Sequence, residues 1–125
     1  MVLIAEDDDL MNELLNTVGK RYGEIRSHKK ADAALAAFEN AVDRFKLVIL
    51  DIRFASKRVD LDGVHLARAI RKRRPHIPIF IFSALTLETE PDTKNKLDEL
   101  GVHYIHKNKG LVYLAQAIDE VMTEG

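Results

Sequence analysis

The stretch Leu47-Val48-Ile49-Leu50-Asp51 constrains this chain more than any other. Its apolar residues run without a polar break and then stop at a carboxylate. A run this short and this uniformly apolar has no polar face to give to water. It therefore reads as a strand buried on both sides, the pattern of a parallel sheet covered by helices. Asp51 then stands where a central strand leaves the core. Two further runs end in the same way. Val2-Leu3-Ile4-Ala5 passes into Glu6-Asp7-Asp8, and Ile77-Pro78-Ile79-Phe80-Ile81-Phe82 passes into Ser83. In open α/β sheets ligands sit at the carboxyl ends of the strands, where the strand order reverses. Parallel neighbours would gather these acids, the hydroxyl and Asp51 on one rim.

Between the strands the apolar residues recur at helical spacing. Leu10, Leu14 and Val18, with Met11 and Leu15, form a one-sided stripe, and Asp8 or Asp9 is placed to cap the helix that carries it. Glu24 to His28 is the weakest strand signal and reads as an edge. Asp32 to Val42 is an alanine-rich helix whose larger apolar side chains are Leu35, Phe38 and Val42. After Asp51 comes a polar loop, Arg53 to Leu61. Asp62 then caps a helix carrying Leu66, Ala67 and Ile70, with Gly63 just inside its start. Arg71-Lys72-Arg73-Arg74 ends that helix. The run reads as a solvated helix end favoured by the helix dipole rather than as a polyanion site.

Beyond Ser83-Ala84 the polar stretch Thr86 to Asn95 leads into a helix through Leu97 and Leu100, with Gly101 as its left-handed stop. Val102 to His106 is a short strand running into Lys107. Leu111, Leu114, Ala115, Ile118, Val121 and Met122 mark the last helix. Repeated β-α alternation predicts an α/β fold with a parallel sheet and helices on both faces.

The chain has 125 residues, the size of one domain, so residues 1–125 are expected to form a single unit. A formal net charge of -1 gives no electrostatic reason to expect nucleic-acid or membrane binding. The absence of cysteine excludes disulfides, thiolate metal sites and cysteine nucleophiles. No apolar run approaches the ~20 residues of a membrane helix. The chain enters a strand at Val2, which leaves no room for a signal peptide, and a cytoplasmic location is expected. The histidines show no metal-ligand spacing.

Glu6, Asp7 and Asp51 would repel one another at the rim unless a cation intervened. Oxygen-only ligands point to a hard cation, and Mg²⁺ fits best because it takes one or two carboxylates and keeps several waters. Lys107 is placed to neutralise Asp51 and to grip an anion, and Ser83 adds a hydroxyl. A carboxylate nucleophile, a divalent metal, a lysine and a hydroxyl are the parts needed to accept a phosphoryl group on Asp51.

At these residues the chain resembles the receiver domain of bacterial response regulators, over its full length. The family pattern is an acidic pair after the first strand, an aspartate ending the third, Ser or Thr then Ala after the fourth, and lysine after the fifth. Here it reads Glu6-Asp7, Asp51, Ser83-Ala84 and Lys107, with Tyr104 at the aromatic switch position and Asp62-Gly63 before the third helix. The resemblance implies a flavodoxin-like (βα)5 doubly wound sheet of strand order 2-1-3-4-5. It implies that Asp51 takes the phosphoryl group from a sensor histidine kinase or a histidine phosphotransfer protein, and that the chain is not an enzyme beyond its own phosphorylation and dephosphorylation. Asp7, Asp51 and the backbone carbonyl of Arg53 would bind Mg²⁺, with Glu6 acting through water. Lys107 and Ser83 would hold the phosphoryl oxygens, and Tyr104 would turn inward as Ser83 moves. The output would be a changed contact with an effector, or a homodimer through the face between the fourth and fifth helices.

Two departures stand out. The lysine is followed by Asn108 where the family has a cis proline, so this bond is expected to be trans and the loop looser. The Arg53–Leu61 loop, with Lys57 and Arg58, and the Thr86–Asn95 segment look longer than usual. A haloacid-dehalogenase-type phosphatase would need a second aspartate at position 53, where this chain has arginine. A nucleotide binder would want glycine or hydroxyl groups, not acids, after the first strand. The remaining alternative is a degenerate receiver that binds partners without phosphorylation. Such a receiver usually lacks one of the acids, and this chain keeps them all.

Overall fold

The structure, a computed structural model, describes residues 1–52 and 63–124. Its strands are β1 (Val2–Ala5), β2 (Ile25–His28), β3 (Leu47–Leu50), β4 (Ile79–Ser83) and β5 (His103–His106). The helices are α1 (Asp9–Gly19), α2 (Ala31–Glu39), α3 (Gly63–Arg73), α4 (Pro91–Leu100) and α5 (Leu111–Glu124). All strand pairs are parallel, in the order β2-β1-β3-β4-β5. This is the flavodoxin-like doubly wound sheet that the family resemblance implies. No helix among the described residues is long and apolar enough to cross a membrane.

Every residue of β1, β3 and β4 is buried. The two-residue period of a strand sends alternate side chains to opposite faces. Leu3, Ala5, Val48, Leu50, Ile79 and Ile81 pack under α2, α3 and α4. Val2, Ile4, Leu47, Ile49, Phe80 and Phe82 pack against Leu15 of α1 and Leu114 and Ile118 of α5. Each of the valine, leucine, isoleucine and phenylalanine side chains contributes about 1.5–3 kcal/mol on burial. Because both faces are occupied, a one-residue slip of register would exchange the two cores, and the strand ends are fixed accordingly. Ala5 pairs with Leu50 and with His28, Leu50 with Ile81, and Ser83 with His106.

Several helix details differ from the sequence expectation. Asp8 caps α1, accepting the Met11 N–H at 2.8 Å. The buried side of α1 is Leu15 with Met11 and Val18, whereas Leu10 and Leu14 are exposed. The apolar residues of α1 form two adjacent rows, and only the row containing Leu15 faces the sheet. The second helix stops at Glu39 rather than Val42, and Val42 opens a separate 3-10 turn, Val42–Arg44. Pro91 is the first residue of α4, where its fixed φ suits a helix start. Gly101 ends α4 in the left-handed conformation, φ 65°. The expected Asp62 cap of α3 lies outside the described residues.

The basic run at the end of α3 is a solvated end only in part. Arg71 is half-buried, and its guanidinium donates to the carbonyls of Leu100 (2.8 Å), Arg74 (3.3 Å), Pro75 (3.1 Å), Ile77 (2.7 Å) and Gly101 (3.4 Å). Arg74 donates to the carbonyls of Val42 (2.6 Å) and Phe45 (2.9 Å). These two side chains tie the ends of α3 and α4 and the turn before β3 together at the end of the sheet away from Asp51. Lys72 and Arg73 are exposed.

A planar five-donor fork can serve this set of carbonyls, and a lysine ammonium cannot. Arg71→Lys is therefore expected to cost about 2 kcal/mol in urea unfolding, because buried acceptors lose their donor. Lys72→Ala at the exposed neighbour should stay within about 0.5 kcal/mol of wild type.

Candidate functional site

The first residues after β1 and β3 are Glu6 and Asp51, the last residue of β4 is Ser83, and Lys107 follows β5 directly. The sheet register brings all of them to one rim. The Asp51 N–H donates to the Ala5 carbonyl at 3.0 Å, so the aspartate leaves β3 level with the end of β1. Glu6 is fully buried, Asp51 is 7% exposed and Ser83 is 2% exposed. The Lys107 ammonium donates to Glu6 Oε1 at 2.8 Å and to Asp51 Oδ2 at 3.1 Å. The other carboxylate oxygen of Asp51 accepts the Ile52 N–H at 2.7 Å. One carboxylate oxygen each from Glu6, Asp7 and Asp51 lie within 4.8 Å of one another, a cluster that could hold a metal ion. A cavity of about 360 Å³ opens above the rim, lined by Asp51, Ser83, Thr86, Thr89, Glu90 and Lys107 among others.

Burial, helped by the Asp51 charge and opposed by the Lys107 ammonium, pushes the Glu6 carboxyl up to about 7. Burial alone would pull the Lys107 ammonium down, but the Glu6 and Asp51 carboxylates outweigh it and hold it above its ordinary value. Lys107 is thus charged and shared between the two acids. All three acids supply hard oxygen donors, the set that suits a small divalent cation.

Tyr104 lies on β5 opposite Ile81, half-buried, and its hydroxyl donates to the Leu85 carbonyl. Burial raises its phenol above the ordinary value. The Leu85 N–H donates to Ser83 Oγ at 3.3 Å, so Ser83, Leu85 and Tyr104 form one connected group. No cis peptide bond occurs among the described residues. The loop at Asn108 is nevertheless not loose. Lys107–Lys109 forms a 3-10 turn, and the Asn108 N–H, which a proline would lack, donates to His106 Nδ1 at 3.0 Å. The Arg53 carbonyl, expected as a metal ligand, and the Lys57 and Arg58 of its loop lie outside the described residues.

Two residues near the site escaped the sequence analysis in the roles they have here. Gly63 donates its N–H to the Ile52 carbonyl at 2.8 Å, and a Cβ there would stand 1.9 Å from the Asp51 carbonyl oxygen. Any larger residue would displace the backbone that carries Asp51; the Asp62-Gly63 pair was visible, but not this close approach. Asn12 is buried beneath the acidic loop, where the helical pattern alone shows only a polar residue between apolar ones.

Raising Glu6 above its ordinary 4.5 costs stability in a definite window. Below that value both the folded and unfolded chains hold the proton and there is no cost. As the pH rises toward about 7 the unfolded chain has lost a proton that the folded chain keeps, so stability falls. Above 7 the full cost remains, on the order of 3 kcal/mol. Without divalent cations, urea unfolding across this range should show a decline that Glu6→Gln flattens.

The profile of the response regulator receiver domain matches residues 2–119. No curated protein sequence matches the chain. Among solved structures, the fold is similar to a CheY-like response regulator receiver domain protein from Methanospirillum hungatei, at 22% identity and a TM-score of 0.80, covering 98% of this chain and 93% of that one. It is also similar to the chemotaxis protein CheY4 of Vibrio cholerae, at 20% identity and a TM-score of 0.76, covering 96% of each chain. A BeF3-activated DrrB receiver domain matches at 18% identity and a TM-score of 0.77, covering 98% of this chain and 96% of that one. At these identities the structures speak for the fold, and membership rests on the profile, which spans nearly the whole chain. The chain belongs to the response regulator receiver domain family, a family of signalling domains of two-component systems.

Proposed function

We propose that Asp51 accepts a phosphoryl group in a Mg²⁺-dependent reaction and that the chain signals by changing its protein contacts. The observation that carries this reading is the Lys107 ammonium held between Glu6 and Asp51 beside a third acid, Asp7. Here two buried acids share the Lys107 ammonium, a third acid stands within ligand distance, and a cavity opens beside them, an arrangement suited to a dication and a transferable anion.

The donor is the phosphohistidine of a sensor kinase or phosphotransfer protein. A carboxylate oxygen of Asp51 forms the new bond to phosphorus, the bond from phosphorus to the histidine nitrogen breaks, and the imidazole leaves with the electron pair. Glu6, Asp7 and Asp51, with the Arg53 carbonyl that the family pattern adds, would hold Mg²⁺. Mg²⁺, when bound, neutralises charge that builds on the phosphoryl oxygens. Lys107, freed from part of its carboxylate pairing as Asp51 becomes an acyl phosphate, turns its ammonium to a phosphoryl oxygen. The Ser83 hydroxyl supplies a second donor. The modified Asp51 carries about -1.5 to -2 charge and three acceptor oxygens, enough to draw Ser83 toward it. Tyr104 and the surface between α4 and α5 then feel the change, and an effector or a second copy of the chain reads it.

Incubation with phosphoramidate or acetyl phosphate and Mg²⁺ should add one phosphoryl mass that is absent in Asp51→Asn and prevented by chelation. Labelling that survives either change would move the acceptor elsewhere. A chain that stays unlabelled while still binding partners would be a degenerate receiver.

Beryllofluoride, which activates the DrrB receiver domain, offers a readout of the switch. With Mg²⁺ it should shift backbone amides from Asp51 through Ser83 and Leu85 to Tyr104. In Tyr104→Ala the shifts beyond Leu85 should shrink; shifts confined to the neighbours of Asp51 in the wild type would mean that the switch is not thrown.

A further inference from the structure

Among the described residues four polar or charged side chains are buried: Glu6, Asp51, Ser83 and Asn12. The first three line the rim. Asn12 does not; it sits on α1, 8% exposed, underneath the acidic loop. A polar side chain this deep is retained against its burial cost only where its hydrogen bonds are made, and a leucine would fill the space without needing them.

The partners of Asn12 are specific. Its Nδ2 donates to the Glu6 backbone carbonyl at 2.9 Å and lies 3.5 Å from the His28 carbonyl. Its Oδ1 accepts from the Ser27 hydroxyl and, at 3.5 Å, from Asn16 Nδ2. Two carbonyls on one side and two donors on the other fix which way the amide faces. The Glu6 N–H meanwhile donates to the His28 carbonyl at 3.0 Å. Glu6 is therefore gripped through its N–H by β2 and through its C=O by Asn12. That carbonyl belongs to the peptide joining Glu6 to Asp7, so the Asn12 amide sets the plane from which the Asp7 side chain departs.

We propose that Asn12, anchored by Ser27 on β2, is the positioning residue of the acidic cluster, and that its amide sets the affinity of Glu6, Asp7 and Asp51 for a divalent cation. Asn12 acts through the Glu6–Asp7 peptide and not by contact with the ion. The inference rests on the reading of this cluster as the Mg²⁺ site. Groups that orient metal ligands from behind typically change affinity 10–100-fold when removed.

Isothermal titration of the full chain with Mg²⁺ alone, at neutral pH, tests it. Asn12→Ala should weaken binding about tenfold, the low end of that range. Asn12→Asp is the sharper variant. It keeps the acceptor for Ser27 but sets an oxygen against the Glu6 carbonyl, and it adds a negative charge near the cluster. If charge alone governed affinity it would bind Mg²⁺ more tightly; the positioning role requires weaker binding. Ser27→Ala keeps the amide and loses only its anchor, with an expected loss of about threefold, below the range for removing the group itself. It decides the matter if the Asn12 variants do not fold. Affinities within twofold of wild type across the folded variants, with or without lost urea stability, would make Asn12 a structural residue only and overturn the inference. A wild-type chain that does not bind Mg²⁺ overturns the proposed metal site and this inference with it. Wild-type binding with unaffected variants overturns the inference alone.

Discussion

Two carboxylates buried at the ends of β1 and β3 share one ammonium, and the rest of the structure is arranged around the cost of that. Glu6 is wholly out of water and Asp51 nearly so, with Lys107 reaching both. Removing an ion from water costs several kcal/mol even after the surroundings relax. Asp7 adds a third acid within ligand distance of the other two. Such a group can persist only where backbone and side chains hold it in place, since each acid would lower its energy by swinging into solvent. The site is therefore bought with stability contributed elsewhere, by the two apolar layers on either side of the sheet.

Those layers also do the positioning. Three central strands buried on both faces cannot slide without exchanging inward and outward side chains. The points where their apolar runs stop are consequently fixed in space. Ala5 level with Leu50, and Ser83 level with His106, place the carboxylates, the hydroxyl and the lysine at one rim with no dedicated scaffold. At the far end of the sheet Arg71 and Arg74 gather backbone carbonyls from α3, α4 and the segments before β3 and β4. One end of the sheet is closed by permanent cations on carbonyls. The other end gathers its acids around one lysine and faces a cavity.

This division explains what the sequence could disclose. Fully buried strands announce themselves as unbroken apolar runs, and the residue that ends each run marks the rim. Glu6, Asp51 and Ser83 were legible for that reason, whereas Lys107, after the partly exposed β5, and the strand order were legible once the β-α alternation met the family pattern. Features that depend on contacts between distant segments were not. Arg71 reads as a solvated helix end because its acceptors at Leu100 and Gly101 lie far along the chain. Leu10 and Leu14 fit a helical stripe as well as Leu15 does, and only the docking of α1 on the sheet chooses between the rows. Asn12 reads as an ordinary polar helix position, because the carbonyl it serves becomes visible only when β1 turns into α1. The left-handed stop at Gly101 was legible because it is a property of the residue itself.

The link from the rim to the surface is equally local. Ser83 Oγ accepts the Leu85 N–H, and the Leu85 carbonyl accepts the Tyr104 hydroxyl. The two bonds use opposite sides of one residue, so the loop after β4 is held between the serine at the site and the tyrosine at the sheet edge. A displacement of Ser83 toward Asp51 has two courses open to it. It can carry Leu85 along, which pulls the tyrosine or breaks its hydrogen bond, or it can give up the Leu85 N–H, which frees the loop to move by itself. Either course changes the environment of Tyr104. The Tyr104 side chain packs with the layer under α2, α3 and α4, while its neighbour Ile105 packs on the α5 side. A change at the buried acid thus needs only one intervening residue, Leu85, to reach Tyr104 at the sheet edge.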